Sequence, residues 1–468
     1  MKVSDPVKKI ELDLIHDASM TILADMGVAF HSRRALALFQ NHGFKTDGQL
    51  VFFSEKQVQT ALEQVPSLFT LQARNPDKHV HIGGNEPAHA PGYGAPHLIT
   101  AEGFRRSTTM DDYLDFCKLG HTSDVINTTG FLMVDPTDLP PAHYHLDMLL
   151  ANIVYSDQPF MGSPLSVQTA QDAVDMAQMV FGKLENAVMI ANINALAPLQ
   201  YAEEMADALM VFARHRQALV ITGGGIMGAT APMKVAGLNT INNAAILAGI
   251  VLSQLCQPGC PVVYGMAGSP MDMRSGSFYL ASPEFHLVMR LGAALARYYN
   301  LPCRSGGGLT NAHGLDFQAG AESGISLLAT CQNRIDFVLH TCGILSAYMA
   351  MSLAKFIADE ELWQSVLKMT SEVIIDADTI DLDTIREVGV DGQYLTHPRT
   401  LELCRTEFLP TAIMNRLPWD AWQSSGDTDI AAKAHRLALK RIAAYQKPDI
   451  PADIQKDLER FVEKRKHS

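Results

Sequence analysis

Apolar and polar positions along this chain follow two rhythms. Between Glu11 and Phe30 the residues Leu12, Ile15, Ile22 and Met26 recur at helical spacing. A hairpin follows over Gly43 to Phe53, with Asp47-Gly48 as its turn. A short helix over Glu55–Gln64 and strands at Phe69–Gln72 and His79–Ile82 complete an N-terminal cap.

From about residue 125 short β-rich runs alternate with amphipathic runs. The predicted strands are Asn127–Val134, Pro159–Ser163, Val188–Asn192, Ala218–Thr222, Pro261–Tyr264, Cys303–Gly306 and Phe337–Thr341. Helices are predicted at Ala170–Phe181, Tyr201–His215, Val235–Cys256, Pro283–Tyr299, Phe317–Gln332 and Met351–Leu367. One start is well marked: Ser282 suits an N-cap, Pro283 the first helical position, and Glu284 the first turn. Repeated strand–helix units imply a parallel sheet with right-handed crossovers. Seven short apolar strands favour a closed (β/α)8 TIM-type barrel of the α/β class over an open sheet. The eighth strand has no clear pattern, and Glu372–Ile375 is its candidate. The organisation expected is a helix and hairpin cap over 1–85, a catalytic barrel over 86–375, and a charged helical extension over 376–468 packed on the barrel. Trp363, Trp419 and Trp422 are expected to anchor that packing.

Composition removes several function classes. The 468 residues hold 37 basic and 50 acidic side chains, a net charge of −13, which disfavours nucleic acid. The N-terminus lacks the apolar region of a secretory signal. The longest strongly apolar stretch, Ala244 to Leu252 and a little beyond, falls short of the roughly 20 residues a membrane span needs. Seven thinly spread cysteines fit thiols in a reducing cytoplasm better than a disulfide framework.

Barrel chemistry sits where strands end and loops begin. Those ends carry Asp135, Asp138, Asn192, Asn194, Gly223-Gly224-Gly225, Gly265, Arg304, Gly306-Gly307-Gly308, His340 and Tyr348. Upstream, the tight loop Pro91–Pro96 displays Tyr93. The glycine runs can cradle a phosphate or leave space for something large. Neither continues as a P-loop or a dinucleotide fingerprint, which favours space. His143-x-His145 has no matching ligands nearby, so no metal is expected. His340 ends an apolar strand, as a structural histidine or a ligand contact. Cys256 and Cys260 read as two buried thiols before a redox pair. Glu322 either faces the mouth or pairs on the outside. Tyr93 and Tyr348, with His340, are core packing or the faces of a cage. A quaternary ammonium has no N–H to donate and is held by such faces.

At this point several ordered motifs resemble one family. PGYGAP at 91–96, HLDMLLANIVYSDQPFMGSP at 145–164, QPGCPVVYG at 257–265, DMRSG at 272–276, CRSGGGLTNAH at 303–313, DFQAGAES at 316–323 and FVLHTCG at 337–343 look like the trimethylamine methyltransferase (MttB) superfamily. The likeness runs from about Glu11 to the C-terminus, and it is to the pyrrolysine-free branch, the glycine betaine type above all. It implies a (β/α)8 barrel whose mouth receives a corrinoid protein, and methyl transfer from a methylated amine to Co(I). Members acting on trimethylamine carry pyrrolysine at the mouth. This chain has standard residues only, and nothing within 304–322 replaces that electrophile, which points to betaines.

Carried over from that branch, Tyr93 and Tyr348 would pack against the trimethylammonium, and His340 would hold the carboxylate or shape the pocket. Asn192, Arg304, Gln318 and Glu322 would line the mouth, and Gly223, Gly224, Gly306 and Gly307 would face the corrin. No residue is expected to act as acid or base. No cofactor is expected to bind tightly, the cobalt corrinoid being supplied by the partner protein. A methylcorrinoid:tetrahydrofolate methyltransferase would follow, and the protein would be a homo-oligomer. Proline betaine, carnitine and γ-butyrobetaine remain alternative substrates. Two other classes remain open: a barrel binding a phosphorylated substrate or flavin at the glycine runs, and a non-catalytic binder of quaternary amines.

Overall fold

The computed structural model describes residues 7–426 and 429–467. The N-terminal cap begins with helix α1 (Lys9–Asp25), followed by a strand at Val28–Phe30 that pairs with Leu50–Phe52 of the hairpin. The hairpin turns at Asp47-Gly48, where Asp47 opposes Leu50 and Gly48 takes φ +58°. Phe30, Phe39, Phe44 and Phe53 pack as one aromatic cluster, and Phe30 stacks on Tyr201 of the barrel at 5.0 Å.

Seven parallel strands form the barrel sheet: β1 (Ala88–His89), β2 (Phe160–Met161), β3 (Met189–Ala195), β4 (Ala218–Gly223), β5 (Val262–Met266), β6 (Cys303–Arg304) and β7 (Phe337–Val338). They pair in the order β1-β7-β6-β5-β4-β3-β2. An irregular segment at 127–130 closes the ring. Thr129 bridges Phe160 in parallel, while the Asn127 and Thr128 N–H groups donate to the His89 carbonyl at 3.2 and 3.1 Å. That makes eight positions around one barrel.

The eighth strand is therefore β1, and Glu372–Ile375 is not a strand but exposed coil. Nothing in the pattern marks β1, because it is two residues long, lies among prolines, and is separated from its helix by a second hairpin (His97–Ile99 with Arg105–Ser107). Its partners identify it: the Ala88 and Ala90 N–H groups donate to the Asp336 and Val338 carbonyls.

Eight helices follow the eight positions: α2 (Met110–His121), α3 (Tyr144–Tyr155), α4 (Val167–Phe181), α5 (Glu203–Arg214), α6 (Val235–Cys256), α7 (Pro283–Tyr298), α8 (Phe317–Gln332) and α9 (Leu353–Thr370). The Ser282 hydroxyl caps α7 by accepting from the Phe285 N–H at 3.1 Å. By length and composition α6 alone among the described helices would cross a membrane, which the apolar stretch read from sequence understated. In this fold it is a core helix, covered by α1 and flanked by α5 and α7, with most of its residues buried.

The C-terminal extension does not pack as one piece. Helices α10 (Ile430–Ala444) and α11 (Ala452–Lys466) lie on the outer barrel helices, α10 against α9 and α2, α11 against α3 and α4. Residues 371–411 instead stay near the surface, and their helices Ala377–Ile380, Leu382–Val388 and Pro398–Leu403 contain no buried residue. Trp363 is buried, but Trp419 is largely exposed and packs its ring against Trp422 at 5.0 Å.

Candidate active site

Two neighbouring loops build the centre. The segment 90–94 runs beside 338–342 through four backbone hydrogen bonds between Ala90, Pro91, Gly92 and Val338, His340, Thr341, Cys342. This places Tyr93 over His340, and the Tyr93 N–H donates to His340 Nδ1 at 3.2 Å. The ring proton is therefore assigned to Nε2, which leaves that N–H as a donor. Tyr348 packs against His340, ring centroids 4.6 Å apart.

The backbone holding these groups is strained. His340, Ser346, Ala347 and Tyr348 all take positive φ, between +52° and +73°. Such positions cost about 1 kcal/mol or more each for non-glycine residues and cluster at functional sites. Outside hydrogen bonds hold the turn in place: the Ser346 and Ala347 N–H groups donate to the Ala312 and Thr310 carbonyls.

Arg304, from β6, is the charged member. It is only 6% exposed, and its Nε has no hydrogen-bond partner. Among the described residues no carboxylate pairs with it. Burial lowers its pKa, against the opposing influence of the Tyr348 and Tyr93 phenols. Burial raises both phenols, and burial followed by Arg304 drives His340 well below the usual histidine value. The set is thus a neutral imidazole and two neutral phenols around an unpaired guanidinium. Thr128 and Ser163, from neighbouring positions of the barrel, also keep buried hydroxyls without partners.

Asn192 is buried on β3, its side chain bonded to Asn194 (3.2 Å) and Thr222 (2.8 Å). Sequence reasoning did not single out Tyr144. It raises the Tyr93 pKa, and Asp135 in turn raises that of Tyr144, so both stand beside the aromatic side of the site. Asp135 was visible as a strand end; Tyr144, at the start of α3, carries no sequence signal.

Gln318 and Glu322 lie outside the Tyr93–His340–Tyr348–Arg304 set. Gln318 is exposed and lines a cleft of about 890 Å³ over the mouth, with Ile99, Arg105, Asp272, Asn311 and the residues flanking Tyr348. Glu322 neither faces the mouth nor pairs outside. It clamps a loop, accepting from the Thr310 hydroxyl (2.6 Å), the Asn311 N–H (2.8 Å) and the Gln318 amide (2.9 Å).

The glycine runs differ from expectation. Gly306 and Gly307 do not open toward a corrin. Both are buried, and a Cβ on Gly307 would lie 2.5 Å from the His340 carbonyl oxygen. They let the loop after β6 press against the loop after β7. Gly223 is buried against Asn242 as well, whereas Gly224 is exposed with open space around it. The N–H groups of Gly225, Gly307 and Gly308 are already bonded to Asn242, Thr330 and His340, so neither run forms a phosphate nest.

Other candidate chemistry is accounted for by structure. His145 pairs with Asp172 at 3.1 Å, and no metal-binding cluster occurs among the described residues. Cys256 and Cys260 are free thiols, with burial pushing Cys256 up to about 12 and Cys260 higher, the opposite of a redox thiolate. Around the mouth the βα loops expose Phe104, Leu196, Met233, Met273, Phe317 and Met349; Phe317 is 90% exposed. An apolar rim around a polar pit fits a large, partly apolar partner face.

The whole chain, residues 1–468, matches the family profile described as trimethylamine methyltransferase (MTTB). The chain belongs to this family. Among its relatives is the glycine betaine methyltransferase of Desulfitobacterium hafniense, 38% identical over 97% of this chain and 96% of that protein. The proline betaine:corrinoid methyltransferase of Eubacterium limosum is 32% identical over 96% and 95%. A trimethylamine methyltransferase from D. hafniense is 26% identical over 97% and 92%. The fold matches the monomethylamine methyltransferase of Methanosarcina barkeri, with a TM-score of 0.56, 11% identity, and coverage of 95% of this chain and 89% of that one.

Proposed function

We propose that this trimethylamine methyltransferase family member moves a methyl group from a betaine, glycine betaine foremost, to the Co(I) centre of a corrinoid protein, releasing dimethylglycine. The observation that carries this reading is Arg304: a buried guanidinium with no counter-ion among the described residues, beside two phenols and a neutral imidazole. Burying an unpaired charge costs several kcal/mol, so the site is built for an anion that arrives with the substrate. A betaine carries its carboxylate at one end and a quaternary ammonium at the other.

In this arrangement Arg304 and the Nε2–H of His340 hold the carboxylate. The faces of Tyr93 and Tyr348 meet the trimethylammonium, with Asp135 and Tyr144 nearby. Docked over the apolar rim, the partner's Co(I) corrin supplies the nucleophile. The amine nitrogen leaves neutral, so no residue has to give it a proton. The raised phenols and the neutral histidine suit that, since none is poised for acid–base work near pH 7. The chain's task is to hold the methyl in line and keep water out. The corrinoid protein then passes the methyl onward through a methylcorrinoid:tetrahydrofolate methyltransferase, all in the cytoplasm.

An anaerobic assay with free cob(I)alamin tests this against glycine betaine, proline betaine, carnitine, γ-butyrobetaine, dimethylglycine and trimethylamine. Methylation of cobalt by one betaine and not by trimethylamine is expected. No methylation by any of them, with a corrinoid protein also supplied, overturns the reading.

A further inference from the structure

The lower wall of the pit carries polar atoms outside the Tyr93–His340–Tyr348–Arg304 set. Gly162 fixes the orientation of the chain leaving β2. A Cβ there would lie 2.8 Å from the Phe212 ring on α5 and 3.1 Å from Met189 Sδ, so position 162 faces the helices. Side chains alternate along a strand, and Ser163 therefore faces the barrel interior. It is fully buried, and its hydroxyl has no hydrogen-bond partner among the described residues. Met161 pairs with Ile190, which puts Ser163 level with Asn192.

The next strands are oriented by their contacts with α6. Gly223 abuts Asn242, and the Tyr264 hydroxyl donates to Asn243 at 3.0 Å, so Thr222 and Gly265 face inward. In register, Asn194, Thr222, Gly265 and Arg304 form one row. The Thr222 hydroxyl donates to Asn192 at 2.8 Å and joins that row to the level of Ser163. Two residues further down, the inward positions are Met161, Ile190 and Val220, all buried and apolar. The pit is thus polar at its base and aromatic toward the mouth, where Tyr93 and Tyr348 stand.

Strands β2 and β6 lie on opposite sides of the ring, with three positions between them either way. Ser163 and Arg304 therefore approach the same interior from opposite walls. An eight-stranded barrel is just wide enough to hold one small ligand there. A carboxylate offers about four acceptor sites. The Arg304 fork and the Nε2–H of His340 fill at most three of them. The Ser163 hydroxyl is a further donor, and leaving it unpaired in the interior costs stability.

We propose that Ser163 is a further substrate-binding residue, whose hydroxyl donates to the betaine carboxylate from the wall opposite Arg304. The substrate then stands with its carboxylate at the base of the pit and its methyl groups toward the mouth. This rests on the betaine reading above and adds an orientation to it. With the carboxylate fixed at the base, chain length sets the height of the methyl group, and so decides which betaine reaches the cobalt.

Isothermal titration of the full chain tests this without cobalt, using glycine betaine and tetramethylammonium, which has the cation but no carboxylate. Ser163→Ala is expected to weaken glycine betaine binding by about 10- to 100-fold, the range for a hydrogen bond to a charged group, and tetramethylammonium binding by less than about twofold. Its melting temperature should be equal or higher, since it loses a buried hydroxyl that has no partner in the free fold. Equal weakening of both ligands, or a lower melting temperature, overturns the assignment. The glycine betaine and melting readouts decide it even where tetramethylammonium binds neither protein. A wild type that binds no betaine overturns the betaine reading and this assignment together. A wild type that binds glycine betaine, with Ser163→Ala binding it as tightly, overturns this assignment alone.

Discussion

Arg304 and Lys355 are both buried cations near the barrel mouth, and the protein treats them in opposite ways. Lys355 is fully buried with Asp359 one helical turn on as its ion-pair partner, and its Nζ also donates to the Gly308 carbonyl at 3.1 Å. Asp359 accepts in turn from the Gly343 N–H at 2.8 Å. That pair ties the loops after β6 and β7 to α9, and each charge is answered within the chain. Among the described residues Arg304 is answered only by neutral rings. A satisfied buried charge holds the scaffold, while an unsatisfied one spends stability to wait for a ligand.

The largest expected effect separates the two. Arg304→Gln should lower kcat/KM for glycine betaine by about a thousandfold, roughly 4 kcal/mol of lost charge-assisted binding, while leaving thermal stability equal or higher. Lys355→Met should do the reverse and cost about 3–5 kcal/mol of folding stability by stranding Asp359. Paired steady-state kinetics and denaturant unfolding read both. If Arg304→Gln destabilises the fold and leaves kcat/KM intact, the contrast is wrong.

The pH dependence sharpens the point. Burial holds His89 down to about 3 and His340 well below its usual value, so both imidazoles are neutral in the fold. Unfolded, each binds a proton below about pH 6.5. Stability is then full above that pH and falls as pH drops below it, at about 1.4 kcal/mol per pH unit per imidazole. For His89 the loss continues down to about pH 3. Replacing His89 with Gln should remove one proton from that slope in urea melts between pH 6 and 4; an unchanged slope refutes the assignment. Catalysis should show no His340 ionisation near pH 6.5.

A smaller effect belongs to the aromatic faces. Tyr348→Phe keeps a ring and should change KM less than threefold. Tyr348→Ala should raise it by about tenfold, in line with roughly 1–2 kcal/mol for a desolvated cation–π contact. Equal effects would assign the hydroxyl, and not the ring, to the substrate.

Much of the barrel was legible because β3, β4 and β5 are apolar runs of 5–7 residues with helices between them. β1 was not, since two residues carry no periodicity and only its hydrogen bonds to 336–338 reveal it. Of the candidate site, Tyr93, His340, Tyr348 and Arg304 were nameable as a set from strand ends and family motifs, and the fold brings them together. Tyr144 was not, because an aromatic opening a helix looks like packing. The glycines were misread for a physical reason: a glycine that makes room for a ligand and one that makes room for a neighbouring backbone have the same letter. Gly307 is the second kind.

Glu322 gives the smallest expected effect and the finest division between holding and binding. It reaches Tyr348 only through a relay: its carboxylate fixes Thr310 and Asn311, and the Thr310 and Ala312 carbonyls receive the Ala347 and Ser346 N–H groups of the strained turn. Glu322→Gln keeps the shape, and its one amide oxygen takes the place of the carboxylate oxygen that the Thr310 hydroxyl and the Asn311 N–H share, so both loop contacts lose their charge-assisted strength. The turn should then relax from its positive-φ geometry part of the time, with Tyr348 displaced. Misplacement of this kind lowers kcat more than it weakens substrate binding, by about three- to tenfold here. Arg304→Gln should raise KM instead, because it removes a direct contact. A Glu322→Gln enzyme with raised KM and normal kcat would put this carboxylate against the substrate, and the relay would fall.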